Sequence, residues 1–203
     1  MKDKNTEELI ASCVKDLVQH GVIIDLAASD KVTLSVDSDD LKCNGYFLDD
    51  PLKFAVAIKK PKKKWVPVFL HEYSHFKQWL ERIPLWSDAD FNCLEEWLSG
   101  QEYPEADLDK SIFSLQALEH DCEIRTVALM KKHRLKIDVE RYIKQANAYL
   151  LFYAVVRKDR VWYSEAPYEV KQIIDVMPGT FLKDYKVIPE DYYALVHKHC
   201  LKK

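Results

Sequence analysis

Between Trp65 and Arg82 two histidines and a glutamate sit inside an apolar helical pattern, and this stretch constrains the fold more than any other. Leu70, Tyr73, Phe76 and Leu80 recur at three- and four-residue steps, so one side of a helix here must be buried. Pro67 suits a first helical turn, where its missing N–H has no partner to lose. Pro84 stops the helix. Inside this pattern stands His71-Glu72-x-x-His75. Imidazoles four residues apart leave a helix on one face, about a turn apart, and can hold a single metal ion. Glu72 then lies where a general base acts on metal-activated water. A buried helix carrying two His and a Glu must satisfy those polar groups, and a metal does so in one step.

A catalytic metal of this kind takes three protein ligands and leaves one position open. No His-x-x-Gly-x-x-His extension follows His75, so the third ligand must come from further along. A later helix is expected from Asp107 to His133. Leu108, Ile112, Leu115, Cys122, Thr126 and Leu129 form its buried stripe. Glu119 falls in the middle of that stripe, where a carboxylate is costly unless paired or ligated. Glu123, one turn on, can accept the ring N–H of a ligand histidine or serve as the ligand itself. Asp121 and His120 in the same run remain alternatives. The structural alternative for the whole set is a core helix pair whose polar groups satisfy one another.

His71-Glu72-x-x-His75, followed 44 residues after His75 by Glu119-x-x-x-Glu123, resembles the gluzincin group of zinc metallopeptidases. The resemblance covers two helices. It implies one zinc ion per chain held by His71, His75 and Glu119, with Glu72 as the base and Glu123 orienting a ligand histidine. It also implies a zincin-like fold in which the strand just before the first helix forms the sheet edge that receives substrate backbone. The chain is similar in size and in its Glu ligand to anti-repressor (ImmA/IrrE-type) peptidases. Lys77 and Glu123 depart from the group's pattern, which favours an apolar residue at the first position and Asp at the second. The expected activity is hydrolysis of peptide bonds in an intracellular protein. The alternative is a catalytically inactive metal-binding interaction module.

The remaining elements predict an α+β fold. Asn5 and Glu8 pair to cap an N-terminal helix whose face is Leu9, Ile10, Cys13, Val14, Leu17 and Val18, closed by Gly21. Strands are expected at Val22–Leu26, Val32–Val36, Gly45–Leu48 and Lys53–Ile58, with a turn at Asp37–Asp40. Lys59–Lys64 reads as a solvated basic loop. A helix over Asp88–Leu98 is capped by Ser87 or Asp88 and closed by Gly100. Another runs over Asp138–Lys158, with Tyr142, Ala146, Tyr149 and Tyr153 on one side. Tyr149, Tyr153 and His120 are candidates to stabilise an oxyanion. Short helices near Tyr168–Asp175 and Glu190–His199 finish the chain, with His197 and His199 on the surface. The expected organisation is one domain over residues 1–203: an N-terminal helix and sheet to 64, metal-site helices over 65–135, and C-terminal helices from 136.

Composition narrows the setting. The formal net charge of −3 gives no global attraction to nucleic acid. Four glycines in 203 residues suit a helix-rich chain. The five cysteines are scattered, with no Cys-x-x-Cys, which fits a reducing, cytoplasmic compartment. No apolar run is long enough to span a bilayer. The expected partner is a protein or peptide substrate, with neither membrane nor nucleic acid.

Overall fold

The computed structural model describes residues 4–36 and 39–201. It is a mixed α+β fold, largely helical, and the chain divides into two compact units. The first comprises Met1–Arg82 with Ile124–Ile137, the second Ile83–Glu123 with Asp138–Lys203.

The first unit opens with helix α1 (Lys4–Gln19), which buries Leu9, Cys13 and Leu17 at four-residue steps. It ends at Gly21, whose φ of 75° is the left-handed closure that glycine adopts freely. Asn5 lies inside this helix rather than capping it; its amide donates to the carbonyl of His133 (3.1 Å). Strands follow at β1 (Ile23–Ala27), β2 (Val32–Val36), β3 (Asp39–Cys43), β4 (Gly45–Asp49) and β5 (Leu52–Ala57). β2 and β3 form an antiparallel hairpin with Leu34 opposite Leu41. The expected turn over Asp37–Asp40 is therefore largely strand from Asp39 on, and 37–38 lie outside the described residues.

β5 is the middle strand of the other sheet. It pairs parallel with β1 (Ile24 opposite Phe54) and antiparallel with β4 (Phe47 opposite Phe54). Four successive residues, Phe54 to Ala57, are buried, as expected of a strand covered on both faces. Tyr46, Ala55, Ala57 and Val32 pack together on one side. Across the other side lies helix α2 (Lys62–Leu80), joined by aromatic edges: Phe54 to Phe69 (5.1 Å) and Phe47 to Phe76 (5.8 Å).

α2 begins three residues earlier than its apolar pattern predicts. Lys62–Lys64 form its first turn rather than a loop, and Pro67 lies inside the helix. Local acceptors offset these lysines: Lys62 pairs with Glu7 (2.8 Å), Lys60 donates to Asn44, and Lys59 to Asp30. α1 holds α2 through Asp16, which accepts from the Tyr73 hydroxyl (2.6 Å) and faces the Lys77 ammonium (3.4 Å). Gly45 opens β4 directly against α2. A Cβ there would lie 2.9 Å from Val68 Cγ1, 3.0 Å from the Ala55 carbonyl and 3.1 Å from Glu72 Cγ.

The second unit is helical. The single helix expected over Asp88–Leu98 is two, α3 (Pro84–Asp88) and α4 (Phe91–Leu98), because Ala89 turns extended and Asp90 caps α4 by accepting from the Cys93 N–H. α5 (Glu105–Lys132) is continuous and passes from the second unit to the first between Glu123 and Ile124. α6 (Val139–Asp159), capped by Asp138, is buried at every position from Leu150 to Val156. A 3-10 turn (Pro167–Glu169), α7 (Lys171–Val176) and α8 (Glu190–His199) complete it. His197 is exposed and bonds Asp159 (2.8 Å), but His199 is half-buried, contrary to a surface placement. No helix among the described residues is long and apolar enough to cross a membrane.

Two outcomes follow for stability. Gly45→Ala must displace a backbone carbonyl as well as side chains, so it is expected to cost about 1–3 kcal/mol in urea unfolding. Burial alone raises the Asp16 carboxyl, but Tyr73, Lys77 and His20 outweigh it and hold the group below the usual range. Its stabilisation is therefore present above the unfolded pKa and lost as pH falls through the lower folded value. Urea midpoints taken downward from pH ~4 should fall less steeply in Asp16→Asn than in the parent chain.

Candidate metal centre

His71 and His75 project from one face of α2 because they are four residues apart. Their rings meet edge to face at 4.7 Å between centroids, and their Nε2 atoms lie 3.1 Å apart. A tetrahedral divalent ion bound at ~2.0–2.1 Å by both nitrogens separates them by roughly 3.3 Å. The pair is thus already at chelating distance.

The tautomer of His75 is fixed by Gln78. Its Oε1 lies 2.8 Å from His75 Nδ1 and can only accept, so Nδ1 carries the hydrogen. In the neutral ring Nε2 is then the acceptor in its contact with His71 Nε2. Gln78 is completely buried and His75 is 9 % exposed, so water does not compete for this bond. Gln78, one turn along the same helix, is thus the partner of His75 Nδ1.

Glu72, between the two histidines in sequence, is buried too. Its Cγ packs under Gly45 at the start of β4. Burial, and next to it the Glu72 carboxylate, push the Cys43 thiol up to about 11, so the carboxylate charge is felt at the end of β3. The strand at the sheet edge beside Glu72 is β4; β5, which precedes α2 and is expected at the edge, is central. Ser74 ties α2 to α5, donating to the Leu70 carbonyl (2.8 Å) and meeting Thr126 Oγ1 (3.0 Å).

One further donor belongs with the histidines. His71, His75 and Cys122 each offer a ligand atom, all within 4.8 Å of one another. The donor chemistry fits a divalent metal, since two imidazoles and a thiolate are a competent three-ligand set. Sequence reading places Cys122 in the apolar stripe of α5, because a thiol packs like a small hydrophobe. The available signal was its position three residues after Glu119 in a donor-rich turn.

The acids of α5 are buried as their stripe predicts, Glu119 and Glu123 alike. Neither belongs to the three-residue group. Glu119 acts electrostatically on the phenols of Tyr149 and Tyr153, whose hydroxyls lie 3.1 Å apart. Glu123 acts on Tyr185 and His120. His120 packs edge-on between Phe181 (5.4 Å) and Tyr185 (5.0 Å), where burial lowers its pKa.

No protein-family model matches the chain, and no curated protein or solved structure does so.

Gln78→Leu removes the acceptor while leaving the ring in place. Zinc affinity, read by competition with a chromogenic chelator, is expected to fall about 10- to 100-fold. The restored acceptor in Gln78→Glu should recover most of it.

Proposed function

We propose that the chain is a metallopeptidase of zincin-like type. In this reading His71 and His75 hold one zinc ion and Glu72 is the general base. The observation that carries it is the 3.1 Å approach of the two Nε2 atoms, one of them stripped of its hydrogen by Gln78, with a buried carboxylate between them in sequence.

Bound there, the ion would supply Lewis acidity: a more acidic water and a polarised carbonyl. The protein's own part is proton handling and orientation. Glu72, withdrawn from solvent, accepts a proton during attack on the scissile carbonyl and returns it to the leaving amine. Gln78 keeps His75 in its ligating tautomer. β4, the edge strand of its sheet, begins beside Glu72, and strand addition along a sheet edge is a usual mode of peptide recognition. In this reading the substrate class is protein or peptide.

The third ligand is either Cys122, which stands with the histidines, or Glu119, as the gluzincin resemblance implies. A thiolate donates more charge to the ion than a carboxylate and weakens its acidity. This favours, as the second reading, a metal-holding interaction module without catalysis.

Emission spectrometry of chain purified without added metal is expected to find about one zinc per chain, lost in His71→Ala. Glu72→Gln should keep that zinc and lose proteolysis of an unfolded casein substrate by about 10²–10⁴-fold. Parent chain that holds zinc but cleaves nothing would favour the interaction module. Loss of metal in Cys122→Ala but not in Glu119→Gln would give the third position to the thiol, and the reverse to the carboxylate.

A further inference from the structure

The longest stretch of the chain without an acidic residue leads directly into α2. Between Asp50 and Glu72 there are six lysines and no Asp or Glu, in a chain whose formal net charge is −3. Five of the six, Lys59, Lys60, Lys62, Lys63 and Lys64, lie across the junction of β5 and α2. Two of these are offset by acids, Lys59 by Asp30 (3.1 Å) and Lys62 by Glu7 (2.8 Å). Lys60 donates to the neutral side chain of Asn44 (2.9 Å). Lys63 and Lys64 are exposed and pair with no acid among the described residues.

Helical geometry carries this charge onto the side of α2 that bears the histidines. Lys64 stands seven residues before His71. At roughly 100° per residue the two directions differ by only ~20°. Lys64 also heads the four-residue row Lys64–Val68–Glu72. The start of β4 lies along that row, since a Cβ on Gly45 would touch both Val68 and Glu72. β4 then runs the same way as the helix: Phe47 meets Phe76 (5.8 Å) and Trp79 (6.1 Å), further down α2. Asn44, which holds Lys60, immediately precedes Gly45, and its carbonyl accepts from the Ala57 N–H (2.9 Å). The lysines therefore stand just beyond the first residue of β4. At ~1.5 Å per residue, Lys63 and Lys64 are about 10–12 Å up the helix from His71. An extended chain covers that length in about three or four residues.

Ammonium groups left without counter-charge concentrate anions and repel cations, and the effect grows with their number. Three such groups, Lys60, Lys63 and Lys64, suit a segment with two or three carboxylates. Nucleic acid, a continuous polyanion, would also meet the negative remainder of the chain.

We propose that Lys60, Lys63 and Lys64 recognise an acidic flank of the protein substrate, an Asp- or Glu-bearing segment three or four residues from the bond at the metal. This inference rests on the peptidase reading for where the reacting bond lies, and on the lysine cluster alone for the preference for acids.

The probes are two fluorescein-labelled peptides, identical except that the Glu residues of one are Gln in the other. Their binding is read by anisotropy on the full, zinc-supplemented chain carrying Glu72→Gln, so that neither is cut. The acidic peptide is expected to bind about tenfold more tightly. Adding Lys63→Glu and Lys64→Glu should abolish that preference, as should high sodium chloride. Lys110→Glu with Lys198→Glu, which alters net charge equally, should leave it intact. In a second arm, the parent chain is given a peptide mixture from a digested proteome and the cuts are mapped by mass spectrometry. Asp and Glu should be enriched three or four residues from the cut, and no longer so in the Lys63→Glu, Lys64→Glu chain. Equal affinity for the two peptides, an acid preference that survives the double variant at unchanged circular dichroism, or cuts without that enrichment would each overturn the proposal. Acid-selective binding lost in the double variant, with no peptide cut by the parent chain, would instead count against the peptidase reading and leave the cluster as the acid-binding face of an interaction module.

Discussion

The hydrogen bond from His75 Nδ1 to Gln78 decides what helix α2 can do. An imidazole has two nitrogens and, when neutral, one hydrogen. A fully buried acceptor on Nδ1 leaves Nε2 as an acceptor, and the helical repeat sets it opposite the matching atom of His71. Everything that surrounds α2 serves to keep this geometry. The Phe54–Phe69 and Phe47–Phe76 contacts set its distance from the sheet, Asp16 sets its rotation through Tyr73 and Lys77, and Ser74 fastens it to α5. A helix left to pack on apolar contacts alone could roll by tens of degrees at small cost. The polar ties from α1 and from α5 prevent that.

The presence of Cys122 with the histidines bears on chemistry rather than on fold. Thiolate and carboxylate are both ordinary third ligands for zinc, but they differ in softness and in the charge they donate. A buried thiol also needs a base or a metal to lose its proton, so loading would release a proton that a carboxylate would not. The pH dependence of metal uptake therefore carries information about the ligand set that geometry alone does not.

Much of this was legible in the sequence, where local chemistry decided the outcome. Val32–Val36 and Glu190–His199 form a strand and a helix at their expected bounds, and Asp138 and Gly100 act at the helix ends as their residue types suggest. Non-local contacts account for the rest. Lys62–Lys64 look like a loop until Glu7 from α1 is seen to pair with Lys62. The central position of β5 depends on parallel pairing with a strand some thirty residues earlier, which no local pattern encodes. Gln78 carries no signal of its own in the sequence, and Cys122 reads as core because thiols pack like hydrocarbons. At both positions the chemical function becomes visible once the neighbouring histidines are placed.

The close approach at Gly45 sets a dimension that side chains elsewhere cannot adjust. Where β4 begins, backbone meets the methylene of Glu72 with no room for another carbon. Separations set by rotamers drift with temperature and sequence, whereas one set by main chain against a side-chain stem is a fixed gauge. Any backbone laid along that edge would meet the Glu72 stem at a height determined by covalent geometry.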